Sequence, residues 1–444
     1  AISYAAFRVL ESRYLLSIGA EATITEIDSL MQTLCYSREV TTIEGDSPAA
    51  LGNRIGSTIL AVGLIDGANE ADGYLDPDYR PVNPPLEVTE SGAALTDPNR
   101  WQPLQLEQMI SQNGIPVENG VQEFIDSHWG FVTGFALPVA GPDGLPVDPG
   151  DPPYLGDPGS DQTFKDSAVE VIEYSSLLDP TDGVSIDISP GSLGSNPLGT
   201  YDGAGLEVNP VTDAAYAPNV VNQADFGRVL AEFWADGPDS ETPPGHWNTL
   251  ANTISDDRGA DLRIGGAGEP VDRLEWDVKL YLALNGANHD AAVAAWGTKG
   301  YYDYVRPISM IRYMGGLGQS SDPAGASYHP EGLPLVAGLV EVVTAETTAP
   351  GARHATLAGA EGEIAIRAWT GTLGDPEEDI AGVDWILAVD WVPYQKPSFV
   401  TPAFAGYVSG HSTVSRASAE VMAGFTGSEY FPGGLGDWTR AADS

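Results

Sequence analysis

Residues 296–310 read WGTKGYYDYVRPISM, and the way this stretch folds decides how the rest of the chain is understood. Lysine is scarce: Lys165, Lys279, Lys299 and Lys396 are the only four in 444 residues. Lys299 precedes Arg306 by seven positions, almost two turns of a helix, so a continuous helix would carry both side chains on one face. Pro307 disfavours helical backbone at Arg306 and marks the expected helix end there. Two cations would then project near a helix terminus, about one anion's width apart. A solvated basic face, or partners for surface carboxylates, is the competing reading of the same spacing.

A second stretch, FVTPAFAGYVSGHSTVSRASAEV at 399–421, joins a Pro/aromatic loop to a helix that starts at or just after Ser409-Gly410-His411. A helix N-terminus offers free N–H groups and a partial positive charge, which suits an anion. Gly410 would let the backbone approach a ligand closely. Ser409 adds a hydroxyl, and His411 is a general acid or base near neutral pH. The alternative is local: Ser409 or Ser412 caps the helix, Gly410 serves the turn and His411 is a satisfied polar residue.

These cations stand against an acidic background of 63 Asp and Glu to 20 Lys and Arg, net −43. Such a surface repels nucleic acid and anionic membranes. It fits a halophilic or marine source, where salt screens self-repulsion, or a secreted or periplasmic protein kept soluble by charge. The longest apolar runs, such as LPLVAGLVEVV, are too short to cross a bilayer. Cys35 is the only cysteine, which excludes an intrachain disulfide and argues against a Cys-based zinc site. The opening AISYAAFRVLESRYLL already reads as helix without an initiator Met, so the chain is expected to begin inside a longer precursor.

Along 1–72, ISYAAFRVLESRYLLSIG and SPAALGNRIGSTILAVGLIDGA predict two helices, the second capped by Ser47. Residues 73–220 are rich in Pro, Gly and Asp, as in LPVAGPDGLPVDPGDPPYLGDPGSD. They read as coil with short helices, wrapping a core or serving function. Helical patterns resume in 221–444: NQADFGRVLAEFWADG capped by Asn222, the long VDRLEWDVKLYLALNGANHDAAVAAWGTKGYY, then HPEGLPLVAGLVEVVTAE, TLAGAEGEIAIRAW and GHSTVSRASAEVMAGFTG. The expected class is all-α, one large helical domain over 1–444 with loop-rich decoration.

Lys, Arg, Ser, a Gly N–H and His converging on a tetrahedral oxyanion resemble the vanadium-dependent haloperoxidases and their relatives, the type 2 phosphatidic acid phosphatases and bacterial acid phosphatases. The family signature is K-x6-R-P, then P-S-G-H, then S-R-x3-G-x-H. KGYYDYVRP matches the first part; VSGH matches the second with Val408 in place of proline; the third has no match here, and its histidine and arginine are expected after Ser444. FWADGPDSETPPGHWN and HDAAVAAWGTK also resemble family segments, the former matching at Asp236 an aspartate that pairs with the third-motif arginine. Upstream, NRWQPL and IDISPGSLGSNPLGTYDG resemble a soluble bacterial subgroup.

The resemblance implies two helical bundles, the second holding vanadate. Lys299, Arg306, Ser409 and the Gly410 N–H would hold vanadate oxygens, and His411 would manage peroxide protons. The missing third-motif histidine would ligate vanadium. Hydrogen peroxide and halide are the implied partners, and a homo-oligomer is allowed. Phe404 lies seven residues before His411, where resembling chloroperoxidases carry phenylalanine and bromoperoxidases histidine; it could equally be a core aromatic. A soluble acid phosphatase using the same pocket is one rival. A non-catalytic acidic relative binding an oxyanion or Ca²⁺ is another, since GPDGLPVDPGD and SLLDPTDGVSIDI offer hard oxygen ligands without matching an EF-hand. His246 and His289 read as structural, and His128, His329 and His354 have no partner pattern.

Overall fold

The computed structural model describes residues 1–112, 114–193, 205–235, 237, 240–371 and 382–434. Packing divides the chain into two units, Ala1–Tyr79 with Phe131–Thr133, and Arg80–Gly130 with Gly134–Ser444.

The first unit holds three helices, α1 (Ile2–Tyr14), α2 (Ala20–Thr33) and α3 (Pro48–Gly63). Ser47 caps α3 as its sequence predicts, its side chain accepting the Ala50 N–H. Gly52 lets α3 press on the start of α1: a Cβ there would fall 2.2 Å from the Ala1 carbonyl oxygen. Tyr4, Phe7 and Met31 form the small core. The helix α2 is missing from the periodicity reading. It buries only Met31, with Ile27 packed partly against the same core.

The second unit contains α4 (Asp161–Ser176), α5 (Gln223–Phe233), α6 (Pro243–Asp257), α7 (Arg273–Tyr302), α8 (Pro307–Leu317) and α9 (Gly410–Thr426). Asp272 caps α7 by accepting the Glu275 N–H at 2.9 Å, and Asn222 caps α5 in the same way through Asp225. The Pro/Gly/Asp-rich segment does wrap a core. Leu86, Leu104, Leu106, Met109 and Leu155 are buried with Tyr302, Ile308, Ile311 and Met314. Its helix α4 buries Phe164, Ala168 and Ile172 at intervals of four. A second core joins α6, α7 and α9 through Ala251, Ile254, Trp276, Leu280, Leu284 and Met422. The Trp276 indole donates to Ser255 Oγ at 3.1 Å.

The all-α expectation is corrected to a mainly helical fold with small sheets. Three antiparallel strands, β1 (Val340–Val342), β2 (Ile364–Trp369) and β3 (Val383–Leu387), stand in that order, with Ile366 opposite both Val340 and Ile386. Three two-stranded pairs lie elsewhere among the described residues. The stretches 329–346 and 356–369, expected as helices, contain β1 and β2. IAIRAW is a central strand with nearly every residue buried, so it shows a continuous apolar run that periodicity does not distinguish from buried helix.

Leu280 is fully buried between α7 and its neighbours. Leu280→Ala is expected to cost about 2–5 kcal/mol of stability. Chemical denaturation would show this as a lower midpoint at an unchanged slope; an unchanged midpoint would place Leu280 outside the core.

Candidate functional site

The 30-residue helix α7 stops at Tyr302, before Arg306 is reached. Asp303 adopts the left-handed conformation (φ 45°) and returns its N–H to the Lys299 carbonyl at 2.9 Å. Its carboxylate, 1% exposed, accepts from Arg100 Nε at 3.1 Å, and its carbonyl accepts the Trp101 N–H at 2.6 Å. The Val305 N–H goes to the Asn99 carbonyl at 3.1 Å. NRWQPL thus fixes the short link between α7 and α8.

Arg306 is extended (φ −102°, ψ 156°) and stands at the N-cap of α8, with Pro307 as its first residue. The expectation of two cations on one face of a single helix, ending at Pro307, is therefore corrected. Lys299 closes one helix, Arg306 opens the next, and the proline begins a helix.

The two cations meet on the loop that leads to α9. Lys299, 2% exposed, donates from Nζ to the Ala405 carbonyl at 2.8 Å. Arg306 donates from Nε to the Phe404 carbonyl. The Phe404 ring lies 4.9 Å from Lys299 Nζ and 5.0 Å from the Arg306 guanidinium carbon, within range for cation–π attraction to both. Trp296 packs edge-on against Phe404, with ring centres 5.0 Å apart, and its indole donates to the Ile125 carbonyl at 3.1 Å. The loop is held in turn by the Gly406 N–H to the Tyr304 carbonyl at 2.9 Å.

Ser409 is the N-cap of α9, its Oγ accepting the Ser412 N–H at 3.1 Å. An accepting hydroxyl keeps its own proton for donation, so this cap does not exclude a ligand contact. Gly410 has a different local reason from the expected one. A Cβ there would lie 3.2 Å and 3.3 Å from two Trp296 ring carbons, so its missing side chain makes room for the indole. His411 meets Trp234 edge-on, ring centres 5.2 Å apart. Burial lowers the His411 pKa below its usual value, and the Lys299 charge lowers it further, so the imidazole is neutral near pH 7.

Side-chain bonds lock α9 to its neighbours. Ser418 Oγ donates to Asn288 Oδ1 of α7 at 2.6 Å, both residues buried, and the Trp247 indole of α6 donates to Ser415 Oγ at 3.1 Å.

Lys299, Arg306, Phe404, Ser409, Gly410 and His411 all line one cavity of about 1190 Å³. Asp236 lies outside the described residues. Trp296, Trp234 and Asp126 share the cavity walls and were not singled out for it. The tryptophans stand in segments that already carried the resemblance. Asp126 gives no sequence signal, being one acidic residue among 63. Asp290 lies elsewhere, accepting the N–H groups of Phe135, Ala136 and Leu137 at 2.6, 2.7 and 3.2 Å. His354 is buried, with Nδ1 2.9 Å from Thr347 Oγ1. Among the described residues no group of three or more His, Cys, Asp or Glu is arranged to hold a metal ion, and no helix is long and apolar enough to cross a membrane.

Lys299 of α7, Arg306 before α8 and the N-terminus of α9 thus share one cavity of a mainly helical protein. Residues 279–442, the segment carrying both motifs, match the family model of the VCPO second helical-bundle domain. The crystal structure of an apo-type bacterial vanadium-dependent chloroperoxidase is similar in fold, with a TM-score of 0.55 at 17% identity over 95% of this chain and 66% of that one. The holo-type structure of a bacterial vanadium-dependent chloroperoxidase gives 0.49 at 17% identity over 94% and 64%. The chain thus spans just under two thirds of the length of these chloroperoxidase chains. No curated protein sequence matches it.

The electrostatics of His411 are directly measurable. In an NMR titration its ring should deprotonate below the ordinary histidine value, and Lys299→Met should raise that midpoint without restoring the ordinary value, because burial is the larger cause. A midpoint unmoved by Lys299→Met would separate the two groups electrostatically.

Proposed function

We propose that the cavity binds vanadate and that the protein oxidises halide with hydrogen peroxide. The observation that carries this reading is that Lys299, Arg306, Ser409, Gly410 and His411, about a hundred residues apart in two groups, line one cavity. The donor chemistry fits an oxyanion. Two cations, a hydroxyl and the open N–H groups of a long helix answer anionic oxygens, in surroundings where charge-assisted bonds are strong. The third-motif histidine and arginine have no match in this sequence.

Bound vanadate would supply a Lewis-acidic centre that activates peroxide towards halide. Lys299 and Arg306 would neutralise its oxygens, with Arg306 offering a planar, two-pronged contact that lysine cannot imitate. The Ser409 hydroxyl and the Gly410 N–H would donate to further oxygens. His411, neutral near pH 7, would accept a proton from hydrogen peroxide at a ring nitrogen and return it to the departing oxygen. Phe404 would form an apolar wall with no titratable group, leaving polarisation to Lys299 and His411.

Arg306→Ala should weaken vanadate binding by about 1.5–3 kcal/mol in calorimetry on the full gene product. His411→Ala should lower turnover by about 10²–10⁴-fold with a much smaller loss of vanadate affinity. Equal losses would make His411 a binding residue. Bromide oxidation is expected, and steady-state rates with each halide across pH test whether chloride is oxidised at acidic pH. No halide oxidation at any pH, with phosphate-ester hydrolysis instead, would move the function to an acid phosphatase on the same pocket.

A further inference from the structure

The walls of the cavity differ sharply from the rest of the chain. The protein carries 63 acidic residues, yet Asp126 is the only carboxylate among the described residues that line the cavity. Its position is tightly built. The residue before it, Ile125, donates its N–H to the Ala403 carbonyl at 2.9 Å, one residue before Phe404, and accepts the Trp296 indole of α7 at 3.1 Å. Asp126 therefore follows a residue clamped to both motif-bearing elements. It takes a left-handed backbone conformation (φ 61°), uncommon for a residue other than glycine, and its carbonyl accepts the Trp129 N–H at 3.0 Å.

We propose that Asp126 sets the charge of the cavity: protonated, it adds no negative charge and permits an oxyanion to bind, whereas ionised it repels that oxyanion. This deepens the vanadate reading and rests on it. The charged and titratable groups that share the cavity are Lys299 of α7, Arg306 before α8, His411 of α9, Tyr174 of α4 and Tyr394, with His128 adjacent on the segment of Asp126 itself. Burial raises the Asp126 carboxyl to about 6, and nearby His128 offsets this in part. The acid is therefore neutral at mildly acidic pH and ionised above neutrality, the direction in which anion affinity should fall.

The test is vanadate binding by calorimetry on the full gene product, at fixed ionic strength, for wild type, Asp126→Asn and Asp126→Glu. Asparagine tolerates the left-handed conformation and keeps the shape without the charge. The ionisation of vanadate and of His411 is common to all three proteins, so ratios of affinity isolate the carboxyl. At about pH 5 the three should agree closely, and at about pH 7.5 Asp126→Asn should bind about tenfold more tightly than wild type, with Asp126→Glu close to wild type. A ratio of Asp126→Asn to wild type that stays constant with pH would overturn this inference while leaving the vanadate reading intact. Vanadate binding to none of the three proteins at any pH would overturn the vanadate reading itself, and this inference with it.

Discussion

The site depends on keeping a lysine ammonium buried. Lys299 is 2% exposed, and taking such a group out of water costs several kcal/mol unless its surroundings compensate. Part of that compensation is the Ala405 carbonyl at 2.8 Å, and part is the aromatic face of Phe404 at 4.9 Å. Both belong to the loop that leads into α9. Arg306 reaches the same loop through the Phe404 carbonyl. The cations and the loop are thus mutually dependent: the loop satisfies the charges, and the charges hold the loop where Ser409, Gly410 and His411 start their helix. A site built this way carries its positive field before any ligand arrives, the condition under which fixed charges stabilise an anion without reorganising.

Much of this was legible in the sequence because it is local. Caps at Ser47 and Asn222, the 30-residue pattern of α7 and the start of α9 follow from residue chemistry within a turn or two. The meeting of Lys299, Arg306 and His411 was legible only through the motifs that carried the resemblance. The path between the cations was not. Seven residues suggested a helical face, but Asp303, anchored by Arg100 and Trp101 some two hundred positions upstream, turns the chain out of α7 first. Long-range partners of that kind leave no periodicity. The same reason hides the role of Gly410, which is set by Trp296 on another helix, and the cavity position of Asp126. The strand β2 was hidden differently: buried almost throughout, it lacks the alternation that marks a strand with one wet face.

The net charge of −43 and the cationic cavity act on different quantities. Surface carboxylates lie in water, where salt screens them beyond about 10 Å at 0.1 M. Their repulsion of an approaching anion therefore falls on the rate of arrival and weakens as salt rises. Affinity is decided within the cavity, where Lys299 is buried and Arg306 and His411 are half-buried. There the described walls hold Lys299 and Arg306, with His411 depressed towards its neutral form and one carboxyl raised towards its own. His411 and Asp126 are both pushed towards neutrality by burial, so pH adjusts the charge that Lys299 and Arg306 bring to the cavity. An acidic exterior is compatible with the proposed anion site because screening separates them.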